Sequence, residues 1–95
     1  MAGGWVYIMT NKRDGVLYVG VTSDLPKRAW EHREGVVPGF TRRYNLKALV
    51  YFEHHDEITL AIQREKNIKH WPRAWKIDLI NSIYPAWSDL FETLG

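Results

Sequence analysis

The sequence predicts an α+β fold: a small sheet of about three strands flanked by helices, in the order β-β-α-β-α-α. Three observations predict it. Residues 6 to 20, VYIMTNKRDGVLYVG, place two runs of β-formers around turn chemistry ending in Asp-Gly. LVYFEHH is a third β-rich run. Three further stretches read as helices from their spacing and their start and stop signals.

Taken in order, Trp5 to Thr10 alternates as a strand, Asn11 to Gly15 turns, and Val16 to Val21 resumes the strand. In TSDLPKRAWEHREG, Ser23 or Asp24 can cap a helix, Pro26 suits its first turn and Gly35 the position just past its end. Leu25 and Ala29 share the buried side of that helix. VVPGFTRRYN is expected to be a loop, from its Pro-Gly and its lack of period. From Asp56, the expected cap, Ile58, Ala61, Ile62 and Ile68 have helical spacing. Pro72 interrupts, Trp75, Leu79, Ile80 and Ile83 mark a second helix with Trp75 on its apolar side, and Pro85 ends it. The tail is expected to pack through Trp87 and Leu90.

With 95 residues and no linker, residues 1–95 are expected to form one domain. The absence of cysteine excludes disulfides and thiolate metal sites. The N-terminus, MAGGWVYIMT, has neither a positive n-region nor a long apolar run, so a cytoplasmic protein without a membrane segment is expected. The net charge of +2 is unevenly spread. Residues 1 to 50 carry eight Lys/Arg against four Asp/Glu, and residues 51 to 95 carry five against seven. A basic first half suits a polyanionic partner.

Strand alternation puts Tyr7, Tyr18 and Gly20 on one face of the hairpin, opposite Val6, Ile8 and Val19. On the hairpin alone, packing of two cross-strand tyrosines accounts for them better than chemistry does. Arg28 and His32, one helical turn apart, emerge on one face. If both are cationic, an anion such as a phosphate belongs between them; otherwise they form a solvated face with Glu31 and Glu34. Glu65 falls near the apolar stripe of its helix, where a carboxylate must be paired, protonated or bound to a cation. Arg64 and Lys66 are poor partners because adjacent side chains diverge, which leaves a basic residue across the domain, such as Arg28, or a metal ion. His54, His55, His70 and Asp56 lack the spacing of a metal cluster. Arg42, Arg43, Tyr44, Lys47, Lys66 and Lys69 interleave cations with planar rings, a pattern that holds phosphates and stacks bases.

These residues resemble the GIY-YIG nuclease superfamily. Its two strand motifs stand here as Val6-Tyr7-Ile8 and Tyr18-Val19-Gly20, its Arg/His pair as Arg28 and His32, and its helix glutamate as Glu65 in AIQREKNIKHW. GFTRRY, LVYFE, REKNIK, WPRAWK and PAWSDL are similar to its small stand-alone bacterial branch, over residues 5 to 91. Two departures stand out: Val6 replaces an isoleucine, and Tyr84-Pro85 stands where the branch usually has Asn-Pro, with Asn81 out of position to substitute.

The resemblance implies a metal-dependent endonuclease leaving 5′-phosphate and 3′-hydroxyl ends. One Mg²⁺ or Mn²⁺ would be held by Glu65, and Arg28 would stabilise the phosphoryl charge. Either Tyr7 or His32 would be the base, with Tyr18 orienting Tyr7 or bonding phosphate. As base, Tyr7 would need a lowered pKa, with Arg28 and the metal supplying the positive field. The expected partner is DNA, single-stranded or branched, with RNA also admissible, and the expected state is a monomer or weak dimer. The alternative is a non-catalytic nucleic-acid-binding module that keeps the fold.

Overall fold

A computed structural model describes residues 3–94 of the chain. Strands β1 (Gly4–Thr10) and β2 (Leu17–Thr22) form the expected antiparallel hairpin. Asp14 adopts a positive φ of 56° in the turn, and Asn11 closes it by accepting from the Val16 N–H at 3.0 Å. Strand β3 (Ala48–His55) pairs antiparallel with the other edge of β1, giving the sheet order β2-β1-β3.

Helix α1 (Leu25–Glu34) begins where the sequence indicates: the Asp24 carboxylate accepts from the Lys27 N–H at 3.2 Å. It ends at Gly35, whose φ of 72° is the left-handed conformation that glycine adopts at least cost. The segment expected to be a loop contains a one-turn helix, α2 (Phe40–Arg43), too short to show a period. Helix α3 spans Ile58–Lys69 and α4 spans Arg73–Ile83. A 3₁₀ turn at Leu90–Leu94 ends the described chain. Glu57, not Asp56, stands at the N-cap of α3, and its side chain makes no capping hydrogen bond. Among the described residues, no helix is long and apolar enough to cross a membrane.

Both faces of the sheet are covered. On one, Val6, Ile8, Val19, Val50 and Tyr51 meet Ala61 and Ile68 of α3, Ile80 of α4, and Trp87. On the other, Tyr7 and Met9 meet Leu25 and Ala29 of α1, Leu46, Leu49 and Leu90. The face carrying the tyrosines is thus a second hydrophobic core, not an open floor. Each fully buried aliphatic side chain contributes ~1.5–3 kcal/mol to either core. The register shifts after Ile8: Ile8 pairs with Tyr51 and Met9 with Leu49, so Val50 is an extra residue. Val50 and Tyr51 can then face the same core.

Trp87 and Leu90 are buried as expected, but Trp75 is 56% exposed. Helix α4 docks through Ile80, with Ile77 and Leu79 beside it, and the Trp75 ring lies edge to face with Trp71, centroids 5.9 Å apart. Ile62 and Ile83 are likewise exposed. Asn81 ties the tail to α4, its side-chain oxygen accepting from the Trp87 indole N–H at 2.7 Å. Tyr84 packs against Tyr51 and Phe52, with ring centroids 5.9 and 5.6 Å away.

Candidate functional site

Register sets the first contact. Tyr7 pairs with Gly20 and Met9 with Tyr18, so the two tyrosines lie diagonally on one face of the hairpin, their ring centroids 6.3 Å apart. Gly20 is required by space rather than by conformation. A Cβ there would lie 2.5 Å from both Cζ and the hydroxyl of Tyr7, and 2.9 Å from Cε2 of Tyr18. Gly20→Ala therefore should displace the Tyr7 hydroxyl and destabilise the fold by ~1–3 kcal/mol, the usual cost of overpacking. A denaturation midpoint equal to that of the wild type would contradict this.

Helix α1 brings His32 over the same face. The residue is 2% exposed, its Nε2 lies 2.9 Å from the Tyr7 hydroxyl, and its Nδ1 lies 3.1 Å from Oγ1 of Thr41 on α2. Both ring nitrogens are occupied. Burial, reinforced by the positive charge of Arg28 and only partly opposed by Glu31, pulls the His32 pKa down from 6.5 to about 4. His32 is therefore a neutral imidazole at pH 7, with one N–H and one lone pair, and Arg28 and His32 are not the doubly cationic pair that an anion would have to bridge. Arg28 instead pairs with Glu31, Nε to Oε1 at 3.2 Å.

Tyr7 is 1% exposed. Burial raises its pKa well above the ordinary value for a phenol, Tyr18, Glu65 and Glu31 raise it further, and only Arg28 acts to lower it. The expected depression is thus absent in the protein alone, because desolvation outweighs one guanidinium. The same influences show that Arg28 and Glu65 both lie within electrostatic reach of the Tyr7 oxygen.

Glu65 is 8% exposed on the inner side of α3. Its partner is neither Arg28 nor an adjacent residue but Lys69, one turn along the helix, with Nζ 3.2 Å from Oε2. The same ammonium lies 5.9 Å from the centre of the Tyr18 ring. Arg64 diverges from Glu65 and bonds Glu53 on β3 at 2.9 Å. Burial pushes the Glu53 carboxyl up, but hydrogen bonds from Arg64, Tyr51 and His55 outweigh it and hold Glu53 below the usual range. His54 faces Asp56, and His70 bonds the Lys66 carbonyl, so the histidines are dispersed.

Tyr7, Tyr18, Arg28, His32 and Glu65 therefore converge from β1, β2, α1 and α3. Of the basic and aromatic residues, Lys69 joins them directly, and Arg42, Arg43 and Tyr44 are exposed on and just after α2, next to Thr41. Lys47 stands beside Gly35 at the end of α1, and Lys66 lines a separate shallow recess with Arg64, Asn67, His70 and Trp71. Thr41 and Phe40 were not singled out from the sequence. Thr41 carried no local signal, because its bond to His32 spans nine residues and a turn. Phe40, whose ring stacks near Tyr18 at 6.3 Å, sits inside the GFTRRY stretch but offers only an isolated aromatic.

A single carboxylate could give a hard, largely hydrated cation one oxygen ligand, in competition with the Lys69 ammonium, and cannot enclose one. Among the described residues, no group of three or more His, Cys, Asp or Glu side chains is placed to do so.

Comparison with known proteins covers these elements. A UPF0213 protein of Staphylococcus saprophyticus is 36% identical over 81% of this chain and 93% of its own length. A UPF0213 protein of Clostridium perfringens is 40% identical over 82% of this chain and 83% of its own. The solution NMR structure of a UPF0213 protein from Bacillus halodurans superposes with a TM-score of 0.56 at 29% identity, covering 86% of each chain. The GIY-YIG catalytic domain family matches residues 3–78, a span that contains all five converging side chains. The chain belongs to that family, whose superfamily is one of endonucleases.

Proposed function

We propose that the protein is a metal-dependent endonuclease that hydrolyses DNA phosphodiester bonds, with single-stranded or branched DNA favoured. The observation that carries this is the bond between the buried Tyr7 hydroxyl and the neutral imidazole of His32, at 2.9 Å, within electrostatic reach of Arg28 and Glu65. The geometry also favours one order of proton transfer. Because Thr41 and Tyr7 occupy the two nitrogens of His32, an incoming water reaches the imidazole only by way of the phenol.

In this reading the His32 tautomer carries its proton on Nδ1 and donates it to Thr41 Oγ1, so the Nε2 lone pair accepts from Tyr7. The water gives its proton to the Tyr7 oxygen as Tyr7 passes its own to Nε2, and the hydroxide oxygen attacks phosphorus. The bond from phosphorus to the 3′ oxygen breaks, and that oxygen takes its proton from solvent. Arg28 offers guanidinium hydrogen bonds to the phosphoryl oxygens as charge develops on them. Glu65 would hold one Mg²⁺ or Mn²⁺, which when bound supplies Lewis-acid stabilisation of that charge. Lys69, whose side chain is half exposed, would compete with that ion for Glu65 and, displaced from it, would be a cation for phosphate. Arg42, Arg43, Tyr44, Lys47 and Lys66 would provide the wider, sequence-tolerant hold on the strand.

The test is incubation of labelled single-stranded, duplex and branched DNA with Mn²⁺. Wild type should cut at least one of them, and Glu65→Ala should cut at least ~10²-fold more slowly, the loss seen when one charge-stabilising group is removed from an active site. Equal cutting by Glu65→Ala would defeat the reading. Wild-type binding that falls steeply with salt, without cleavage, would instead identify a non-catalytic binding module.

A further inference from the structure

Beside the cluster, a groove of about 300 Å³ is lined by Leu17, Tyr18, Val19, Phe40, Lys69 and Lys76. Four lining residues are apolar or aromatic, two are cations, and none is a carboxylate. Phe40 is 46% exposed, although an aromatic of this size is ordinarily better covered. Its ring lies 27° from parallel with that of Tyr18, centroids 6.3 Å apart, so the two form an aromatic shelf, and Tyr44 leans against Phe40 at 4.8 Å with a tilt of 46°.

Each ammonium group has one partner in the protein alone. Lys69 pairs with Glu65, and Lys76 donates to the Lys69 carbonyl at the end of α3, at 3.1 Å. Burial lowers the pKa of Lys76, and Arg73 and Lys69 lower it further, a crowding of positive charge that an anion would relieve. Tyr18 links this shelf to the Tyr7 and His32 pair, with ring centroids at 6.3 and 5.7 Å.

We propose that this groove is a nucleobase subsite: one unpaired base stacks on the Phe40 and Tyr18 shelf, and Lys69 and Lys76 take the phosphates that flank it. A planar ring needs an accessible face to stack, and a base in a duplex has both faces covered by its neighbours. The volume, at the small end of the range for ligand pockets, suits one ring system and excludes a base pair. Every base has a π-face, so the subsite selects for unpaired structure and not for sequence. The subsite rests on the phosphodiesterase reading for its proximity to the cut. Its test is nevertheless independent of cleavage.

A single-stranded oligonucleotide containing 2-aminopurine is titrated in EDTA against wild type, Phe40→Ala and Phe40→Trp. Wild type should quench the fluorescence by stacking. Phe40→Ala should bind about five- to a hundredfold more weakly, the range for one lost base stack, and Phe40→Trp should restore binding. An oligonucleotide with an abasic residue in place of the quenched base should bind wild type as weakly as the intact strand binds Phe40→Ala. Lys76→Gln should reduce the salt slope of binding by about one ion. Equal affinity of Phe40→Ala, or equal quenching of a duplex of the same sequence, overturns the subsite. Stacking without any metal-supported cleavage defeats the nuclease reading and leaves the subsite standing, whereas cleavage indifferent to Phe40 does the reverse.

Discussion

Tyr7→Phe is expected to lower the turnover rate of Mn²⁺-supported cleavage by ~10²- to 10⁴-fold, the usual contribution of a positioned acid or base. The substitution removes one oxygen and leaves the ring in its core with Met9, Leu25 and Ala29. It leaves His32 Nε2 without its partner, which costs ~1–3 kcal/mol, a fraction of the stability of an ordinary domain. The loss should fall on turnover with KM little changed, because the hydroxyl handles a proton and does not hold the strand. Equal and large changes in KM would instead place Tyr7 in substrate binding. Turnover at the wild-type rate would remove Tyr7 from the chemistry altogether.

The second large effect concerns stability. His32 binds its proton with a pKa of about 4 in the folded protein and near 6.5 when unfolded. Between these values the unfolded chain holds more protons, so acid favours unfolding. The contribution is complete above pH 6.5 and is lost progressively as the pH falls towards 4, amounting to about 3 kcal/mol. Carboxylates begin to take up protons at the acid end of this interval, so the comparison is with His32→Gln, which cannot take up the proton. Urea denaturation at pH 7.5 and pH 4.5 should show wild type losing ~2–3 kcal/mol more than His32→Gln. Parallel losses would mean that His32 titrates in the fold as it does in water. The same neutrality has a consequence for catalysis: no acid limb near pH 6.5 should appear in the rate profile on account of His32.

Much of the fold was legible because it rests on local chemistry. The turn in NKRDG, the Asp24 cap and the Gly35 stop act within a few residues, and each stands where its residue type predicts. Helix α2 escaped notice because four residues carry no period. Trp75 was misplaced for a different reason. Spacing assigns a side of the helix, but only the docking of α4 through Ile80 decides how much of that side is covered.

The candidate site divides along the same line. By itself the sequence determined which side chains share a face: Tyr7 with Tyr18 and Gly20 by the two-residue period of a strand, Arg28 with His32 and Glu65 with Ala61 and Ile68 by the turn of a helix. These periods are properties of the backbone and hold whatever lies opposite. Only the tertiary structure decided the partners: Thr41 for His32, Lys69 for Glu65, and the second core that encloses Tyr7. Partner choice and protonation depend on how far water is excluded by elements distant in the chain. Desolvation therefore makes His32 neutral and keeps Tyr7 a phenol, a result that no spacing in the sequence records.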